Sequence, residues 1–326
     1  MDKTSKTIRQ RVFNENSSQL VSCFIALVFL VILFSILSPY FLSARNLLSM
    51  LMQTTTTATI GFDMTFVIVA GAIDLSVGPV LAMCSVIVAT LLANEQPIWL
   101  CCATGLIFGM LLGLINGLLI TKLKLPAFVA TIGTQMAIRG LALVFTDSRA
   151  VYISNRPEFR ELAKGKMFGL VQYPIIIMIV LAVLSTFILR KTVIGRHVYA
   201  IGSNEEAARL SGIHAHSVRI FAYVYCALMA SIAGIIVTSR ANSGQPNIGV
   251  GYEADAIAAC VIGGASMSGG HGTIVGTILG ALIIGVLSNG LNLINVSTNW
   301  QTVATGFVLI VAVYIDILRQ KKRMGK

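Results

Sequence analysis

The chain has 326 residues, of which 56% are hydrophobic and only 11% are charged, and its mean hydropathy is +0.84. A soluble domain carries about 25% charged residues, so this composition excludes a soluble globular protein. The net charge of +11 raises the question of a nucleic-acid partner. However, the basic residues cluster between long uncharged runs, so they predict membrane topology and no nucleic-acid partner.

Long apolar runs predict an all-α, polytopic transmembrane bundle with about ten spans. A helix rises about 1.5 Å per residue and must cross a hydrocarbon core of about 30 Å. The second span begins with the polar stretch QTTTTAT, and the eighth is short and runs into glycines. The predicted spans are 20–38, 47–71, 77–94, 97–121, 126–146, 168–190, 218–240, 255–268, 273–294 and 300–318.

The distribution of Lys and Arg predicts which side each loop occupies. With ten spans, sixteen Lys and Arg residues fall on the side of the two termini and seven on the other, while Arg139 lies within a span. Basic residues are enriched in cytoplasmic loops, so both termini are predicted to be cytoplasmic. The polar segment 147–166 lies on the opposite side, as a loop. It is either a solvated loop of mixed charge or a docking surface for an acidic external partner.

A weak internal repeat relates two parts of the chain. INGLLITKLKLPAFVAT (115–131) resembles SNGLNLINVSTNWQTVAT (288–305), and the two copies lie five spans apart. The spacing predicts that the copies cross the membrane in opposite directions, as the inverted repeats of many transporters do. The matched amides of Asn116 and Asn289 either face a solute path or form hydrogen bonds between helices.

The segment GAIDLSVG (71–78) predicts a broken helix. It places a charge, a hydroxyl and two glycines in an apolar region, and Pro79 suits the first turn of a new helix. Irregular backbone at membrane depth requires cover by protein or contact with water. Asp74 and Ser76 therefore either contact a solute or cap the next helix.

Asp63 and Arg139 are further charged residues within predicted spans. Each costs about 2.5–3.5 kcal/mol at the centre of a membrane helix on insertion scales. They either pair with each other or line an aqueous path. Together with Asp74 and the repeat, they support an alternative function, an ion-coupled secondary transporter of small polar solutes.

The segment 195–213 predicts a short exposed helix between the sixth and seventh spans. Asn204 is a good N-cap, Glu205 and Glu206 suit the first turn, and Gly212 can end the helix. Such well-defined start and stop signals favour a helix that binds a soluble partner at the cytoplasmic face of the membrane.

The glycine-rich run GGASMSGGHGT (263–273) looks like a nucleotide-binding loop. The chain contains no G-x-x-x-x-G-K-[ST] pattern, so the glycines are interpreted as sites of close helix packing. The four histidines are scattered, and the six cysteines lie in apolar runs without a C-x-x-C pair. We therefore expect no metal site, no cofactor and no enzymatic activity on this chain.

Five segments together resemble one family, the ribose-type permease subunits of bacterial binding-protein-dependent ABC importers. The segments follow one another in order along nearly the whole chain. They are AGAIDLSVG (70–78), GRHVYAIGSNEEAARLSGI (195–213), GYEADAIAACVIGGASMSGGHGTIVGT (251–277), LSNGLNLINVS (287–297) and VAVYID (311–316).

The resemblance implies a single transmembrane permease domain over residues 1–326, with no ATPase domain on this chain. It also implies a cytoplasmic coupling loop at about 191–218, which rests in a groove of the separate ATPase subunit. It implies a bacterial inner-membrane location. The implied partners are a second permease chain, identical or related, separate ATPase subunits that bind ATP, a periplasmic sugar-binding protein and a monosaccharide such as ribose, allose or a related pentose or hexose. The coupling residues that it implies are Gly202, Asn204, Glu205, Glu206, Ala208, Arg209 and Gly212.

Asp63 departs from the family pattern, which usually has a small residue, commonly glycine, at this position. A carboxylate there either disturbs helix packing or stands beside water. The pathway candidates are Asp74, Ser76, Asn116 and Asn289, and Asp63 and Arg139 are the additional intramembrane charges.

Overall fold

A computed structural model describes residues 3–154 and 156–324, with side-chain surroundings for 19–154 and 156–318. Two antiparallel strand pairs accompany the helices: β1 (Val151–Tyr152) with β4 (Ser243–Gly244), and β2 (Lys166–Met167) with β3 (Val171–Gln172). The helices are α1 (Lys3–Leu37), α2 (Ala44–Val69), α3 (Val77–Ala93), α4 (Ile98–Thr121), α5 (Ala127–Phe145), α6 (Pro157–Lys164), α7 (Tyr173–Lys191), α8 (Val193–Ser203), α9 (Glu205–Leu210), α10 (Ala215–Ala241), α11 (Tyr252–Ile262), α12 (Ile274–Leu293) and α13 (Thr298–Met324).

Ten of the described helices coincide with the ten predicted spans, namely α1–α5, α7 and α10–α13. This agreement confirms the polytopic helical bundle, and seven of the ten are long and apolar enough to cross a membrane by length and composition. The eighth predicted span is shorter than expected, because α11 ends at Ile262 and the glycine run that follows is not helical. The chain ends, 1–2 and 325–326, lie outside the described residues, so their side of the membrane stays a prediction.

The predicted break between the second and third spans is present. After α2 the chain turns through Gly71, whose φ is +78°, and the Ala72 amide donates to Val67 O at 3.0 Å. Glycine adopts this left-handed conformation without strain. Helix α3 then begins at Val77, with Pro79 in its first turn as predicted.

The inverted repeat is supported by the direction of its helices. Asn116, near the end of α4, donates to Ser76 Oγ at 2.8 Å, beside the C-terminal end of α2. Asn289, near the end of α12, pairs with Asn46 at the N-terminal end of α2. The two matched helices therefore run in opposite directions along α2, as the repeat predicts.

The segment 147–166 is more ordered than the predicted loop. It contains α6, which packs on α10 through the fully buried side chain of Phe159. Ser239 Oγ of α10 donates to Phe159 O at 2.6 Å and accepts from the Ala163 amide at 3.1 Å. This packing corrects the loop prediction, while Arg160 and Lys164 remain exposed on the outer side of α6.

Helices α4 and α10 are held in close contact by three glycines of α4, namely Gly109, Gly113 and Gly117. They recur every four residues and so lie on one face of the helix. Gly105 continues the same row but faces Cys84 and Val88 of α3. A Cβ added to Gly113 would lie 2.5 Å from Tyr223 O and 2.7 Å from the Ala227 Cβ of α10. Because lipid tails provide no hydrophobic force between helices, such small-residue contacts stabilise membrane bundles by close packing.

We expect Gly113→Ala to destabilise the protein by about 1–3 kcal/mol, the usual cost of overpacking. The matched control is Gly133→Ala in α5, where an added Cβ meets nothing within 4 Å, so the better helix propensity of alanine is its main effect. The measurement is the melting temperature of the two detergent-solubilised variants. Equal melting temperatures would contradict the assigned α4–α10 contact.

Candidate functional site

The short helix predicted between the sixth and seventh spans is present as α9. Asn204 caps its start, because the Ala207 amide donates to Asn204 Oδ1 at 2.9 Å. Gly212 follows its end with φ +83°, and the Ile213 amide closes the turn by donating to Ala208 O at 3.0 Å. The helix is confirmed, and its contact with an ATPase stays a prediction.

Helix α8, which leads into α9, is absent from the sequence predictions. Its start is capped by Thr192 Oγ1, which accepts from the Gly195 amide at 3.3 Å. Val198 and Ile201 are buried against the bundle, with exposed fractions of 0% and 3%. The apolar spacing Ile194, Val198, Ile201 was the available signal, since residues four and seven positions apart share one helix face.

An ion pair connects α9 to the first turns of α10. Arg219 donates to Glu205 through Nη1–Oε1 at 3.0 Å and Nη2–Oε2 at 2.6 Å. The two parallel hydrogen bonds fix the relative orientation of the two side chains as well as attracting them to each other. Because both side chains are partly exposed, the pair contributes little to the stability of the fold. Arg219 lies fourteen positions from Glu205, so no local spacing rule could have paired them.

The remaining predicted coupling residues divide between two faces of α9. Ala208 is buried with an exposed fraction of 5%, whereas Glu206 and Arg209 are exposed. Leu210 also stands in the open, with 81% of its surface exposed. An exposed apolar side chain beside two charged ones is typical of a surface that receives a partner, although a single residue does not define one.

Gly202 belongs to the last turn of α8 and contacts the end of α2. A Cβ at this position would lie 1.7 Å from Val69 O and 2.7 Å from the amide nitrogen of Gly270. The Gly270 amide itself donates to Val69 O at 2.8 Å. We call the contact among Val69, Gly202, Gly269 and Gly270 the glycine joint, because backbone meets backbone there without intervening side chains.

The glycine-rich run therefore serves a contact between three elements: α2, α8 and the connection from α11 to α12. Tyr199 of α8 adds a hydrogen bond from its hydroxyl to Gly272 O at 2.7 Å. Burial raises the pKa of the Tyr199 phenol, which keeps it protonated and able to donate. Asp316 of α13 accepts from the Met267 amide at 3.2 Å, so the last helix holds the run from the other side.

Three of the four pathway candidates meet at the break between α2 and α3. Asp74 Oδ1 accepts from the Ser76 amide at 2.8 Å and from Ser76 Oγ at 2.7 Å. Ser76 Oγ also accepts from Asn116, and all three side chains are at most 1% exposed. Ser76 is the N-cap residue of α3, but its side chain makes no capping bond to the helix, so these bonds hold the break together and do not cap α3. A role in the solute path stays a prediction.

Asn289 lies at the opposite end of α2 from these three residues. It exchanges two amide hydrogen bonds with Asn46, at 2.9 and 3.0 Å. Of the two alternatives for the repeat asparagines, hydrogen bonds to other elements are present for both, and a role in the solute path stays a prediction.

The two intramembrane charges, Asp63 and Arg139, have separate surroundings. Arg139 Nη1 donates to Pro246 O at 2.5 Å and to Ile248 O at 2.8 Å, in the segment that leads into α11. Asp63 is fully buried in α2, and its Oδ2 has no hydrogen-bond partner in the described part of the chain. The Cys226 thiol of α10 lies beside the carboxyl groups of both Asp63 and Asp74.

A polar cavity of about 890 Å³ opens at the end of the bundle opposite α9. This volume lies within the usual range for small-molecule sites. Arg45, Lys164, Lys166 and Arg240 stand around it with one acid, Asp255. Its inner wall includes Thr54, Thr56, Thr57, Gln172, Gly285 and Ser288.

None of the predicted pathway residues lines this cavity. The signal that could have found it is QTTTTAT in the second span, since four successive threonines put hydroxyl groups on nearly every side of the helix, and polar groups in a membrane span face the bundle interior or a water-filled cavity. The remaining wall comes from segments distant in sequence, such as Gln172 and Gly285, which only the tertiary fold brings together.

Comparisons with known proteins agree on one family. Residues 46–313 match the family described as the permease component of branched-chain amino acid transport systems. The ribose import permease protein RbsC of Haemophilus influenzae is 43% identical over 296 residues, covering 90% of this chain and 91% of the relative. RbsC of Bacillus subtilis is 44% identical over 312 residues, covering 95% and 97%.

A further relative is the L-arabinose ABC transporter permease protein AraH of Azospirillum brasilense. It is 38% identical over 302 residues, covering 92% of this chain and 88% of the relative. No solved structure matches the chain. The family match spans most of the chain, and the relatives are aligned over nearly their whole length. The chain therefore belongs to this family of transport-system permease components, and the resemblance to ribose-type permeases is confirmed.

Proposed function

We propose that the chain is the membrane-spanning permease subunit of an ABC importer that carries a monosaccharide, ribose or a related pentose or hexose, across the bacterial inner membrane. The relatives named for ribose and arabinose support the solute class. The observation that carries the proposal is α9, an exposed helix connected to the membrane bundle in two ways. The Glu205–Arg219 pair joins it to α10 directly, and the preceding helix α8 joins it to α2 through the glycine joint.

The two connections give α9 a mechanical role. Glu205 links it to α10, and α8 links it through Gly202 to the end of α2. Both α2 and α10 continue to the polar cavity, where they contribute Thr56 and Arg240. At about 1.5 Å per residue, α2 spans about 39 Å, so a displacement of α9 by an ATPase reaches the far end of the bundle.

The proposal includes the partners of an importer. ATP is bound by separate ATPase subunits that contact α9, and a second permease chain, identical or related, completes the membrane part. With α9 and both termini in the cytoplasm, the polar cavity faces the periplasm. The exposed cations Arg160, Lys164 and Lys166 then stand where a periplasmic sugar-binding protein with an acidic face docks.

The alternative, an ion-coupled secondary transporter, depended on Asp63, Asp74, Arg139 and the inverted repeat. Asp74 is bonded to Ser76, and Arg139 is bonded to two backbone carbonyls. These contacts give the two residues structural roles, and the three relatives named above are import or ABC transporter permeases. The inverted repeat is compatible with both functions, and no observation favours the alternative over the importer.

The direct test is purification of the tagged full chain from its native membrane, followed by mass spectrometry of its companions. We expect a stoichiometric soluble ATPase and, after crosslinking, a periplasmic sugar-binding protein. A preparation without ATPase that takes up sugar in proteoliposomes, and loses this uptake with a protonophore, would establish ion coupling instead.

The ion pair of α9 is tested by charge reversal. We expect Glu205→Arg or Arg219→Glu alone to weaken coupling by about 2- to 30-fold, the range of coupling energies in packed networks. The double variant exchanges the charges and should recover most of the loss. The measurement is ATP hydrolysis by the reconstituted complex with and without sugar-loaded binding protein. A double variant no better than the singles would show that the pair itself is unimportant.

The glycine joint is tested by Gly202→Ala. The added methyl group would lie 1.7 Å from Val69 O, so α8 must move away from α2, and we expect basal ATPase activity to persist while its stimulation by sugar is lost. Gly140→Ala is the matched control, because a Cβ there meets nothing within 4 Å. Equal stimulation in the two variants would contradict a transmitting role for the joint.

A further inference from the structure

Helix α2 carries an unusual row of polar atoms that begins at the polar cavity. Seven buried side-chain oxygen or nitrogen atoms in the described part of the chain have no hydrogen-bond partner. Three of them belong to α2: Thr56 Oγ1, Thr59 Oγ1 and Asp63 Oδ2. Their spacing of three and four positions places them on one face of the helix. Buried polar atoms are nearly always paired, so three such exceptions on one helix face require an explanation.

The neighbouring threonines show that helix geometry does not impose this state. Thr54 donates to Met50 O at 2.9 Å, and Thr55 donates to Met52 O at 2.7 Å. These bonds to the preceding turn are the usual arrangement for threonine in a helix. Thr56 and Thr59 lack such a bond, although their exposed fractions are only 5% and 0%.

The first member of the row lines the cavity. Thr56 and Gln172 both contribute to the cavity wall, while Thr56 Oγ1 and Gln172 Oε1 are buried behind its surface without a partner. A hydroxyl and an amide oxygen side by side suit a ligand that offers several hydroxyl groups, because each hydroxyl can donate and accept. An apolar solute would satisfy neither atom, and a purely cationic one would offer no acceptor to the Thr56 hydroxyl.

We infer that Thr56 and Gln172 form a polyol-binding site in the cavity wall when their buried oxygens turn toward the cavity, and that Thr59 and Asp63 continue it along α2 as a hydroxyl-binding track. The inference rests on the proposed function and deepens it: the permease itself recognises the hydroxyl groups of the solute, in addition to any selection by a binding protein. Below Thr56 the track is closed, since Thr59 and Asp63 are fully buried. Passage along it requires α2 to move relative to α10 and α12.

The test compares three substitutions of the same size on one helix. Thr56→Val and Thr59→Val remove unpartnered hydroxyls, whereas Thr55→Val removes a hydroxyl that is already bonded within the helix. We expect the first two to lower uptake efficiency about 2- to 10-fold, the usual effect of one hydrogen bond. Thr55→Val should transport like the wild type. Uptake is measured with the best carried sugar of a panel of labelled pentoses and hexoses, in vesicles with ATPase and binding protein.

Melting temperatures separate recognition from stability. Thr55→Val loses an intrahelical bond and should melt at a lower temperature, whereas Thr56→Val and Thr59→Val relieve a buried unpartnered group and should not. The expected result is thus impaired transport with intact stability for two variants, and the reverse for the third. Normal transport by both Thr56→Val and Thr59→Val would overturn the track and assign these atoms to buried water.

A labelling experiment tests the site independently of uptake. Thr56 is only 5% exposed, so in the complex with ATPase and binding protein Thr56→Cys should react with a membrane-impermeant maleimide faster during ATP hydrolysis than at rest. A mixture of pentoses and hexoses should slow this reaction, and an absence of labelling during hydrolysis would overturn the site. Labelling that is unaffected by the sugars would overturn the polyol site even if the importer function stands. A wild-type complex that carries none of the panel, together with protected labelling, would instead count against the proposed function alone.

Discussion

The backbone contact between Gly202 and Val69 is the constraint on which the arrangement of the inner end depends. The elements on either side bring their main chains so close that only a hydrogen atom fits at Gly202. The Gly270 amide completes the contact by donating to Val69 O, which satisfies a carbonyl at the end of α2 that would otherwise lack an intrahelical donor. The contact involves backbone atoms only, so no change of side-chain rotamer can relieve it. The distance between the two main chains can therefore change only when α2 or α8 moves as a whole.

The connections of α9 differ in their physical character. The glycine joint is a steric contact, which resists approach and is insensitive to salt. The Glu205–Arg219 pair is electrostatic and partly exposed, and ionic strength weakens such pairs. One connection therefore fixes the distance between α8 and α2, while the other adjusts the orientation of α9 relative to α10.

Local signals predicted much of this molecule, and long-range contacts account for most of what they missed. The ten spans, the break at 71–78 and the cap at Asn204 each depend on residues close together in sequence, so composition and spacing identified them. The ion pair of Arg219, the cavity wall at Gln172 and the neighbours of Asp63 depend on elements far apart in the chain. Hydrophobic runs identify membrane helices well, but they carry little information about which faces meet. Helix α8 was missed for a different reason. Its apolar spacing was visible in the sequence, but it lay within a segment that was interpreted as a polar loop.

The amide pair of Asn46 and Asn289 has a consequence for how α2 can move. Each amide is donor and acceptor to the other, so the pairing does not depend on protonation and anchors the beginning of α2 to α12. The glycine joint anchors its other end to α8. A third contact lies between these ends, because Thr65 of α2 shares a hydrogen bond of 2.7 Å with Thr277 of α12. With both ends and this interior point held, α2 cannot slide along its own axis. Thr56 and Thr59 lie between the anchors at Asn46 and Thr65, so bending of this stretch is the motion that would displace them.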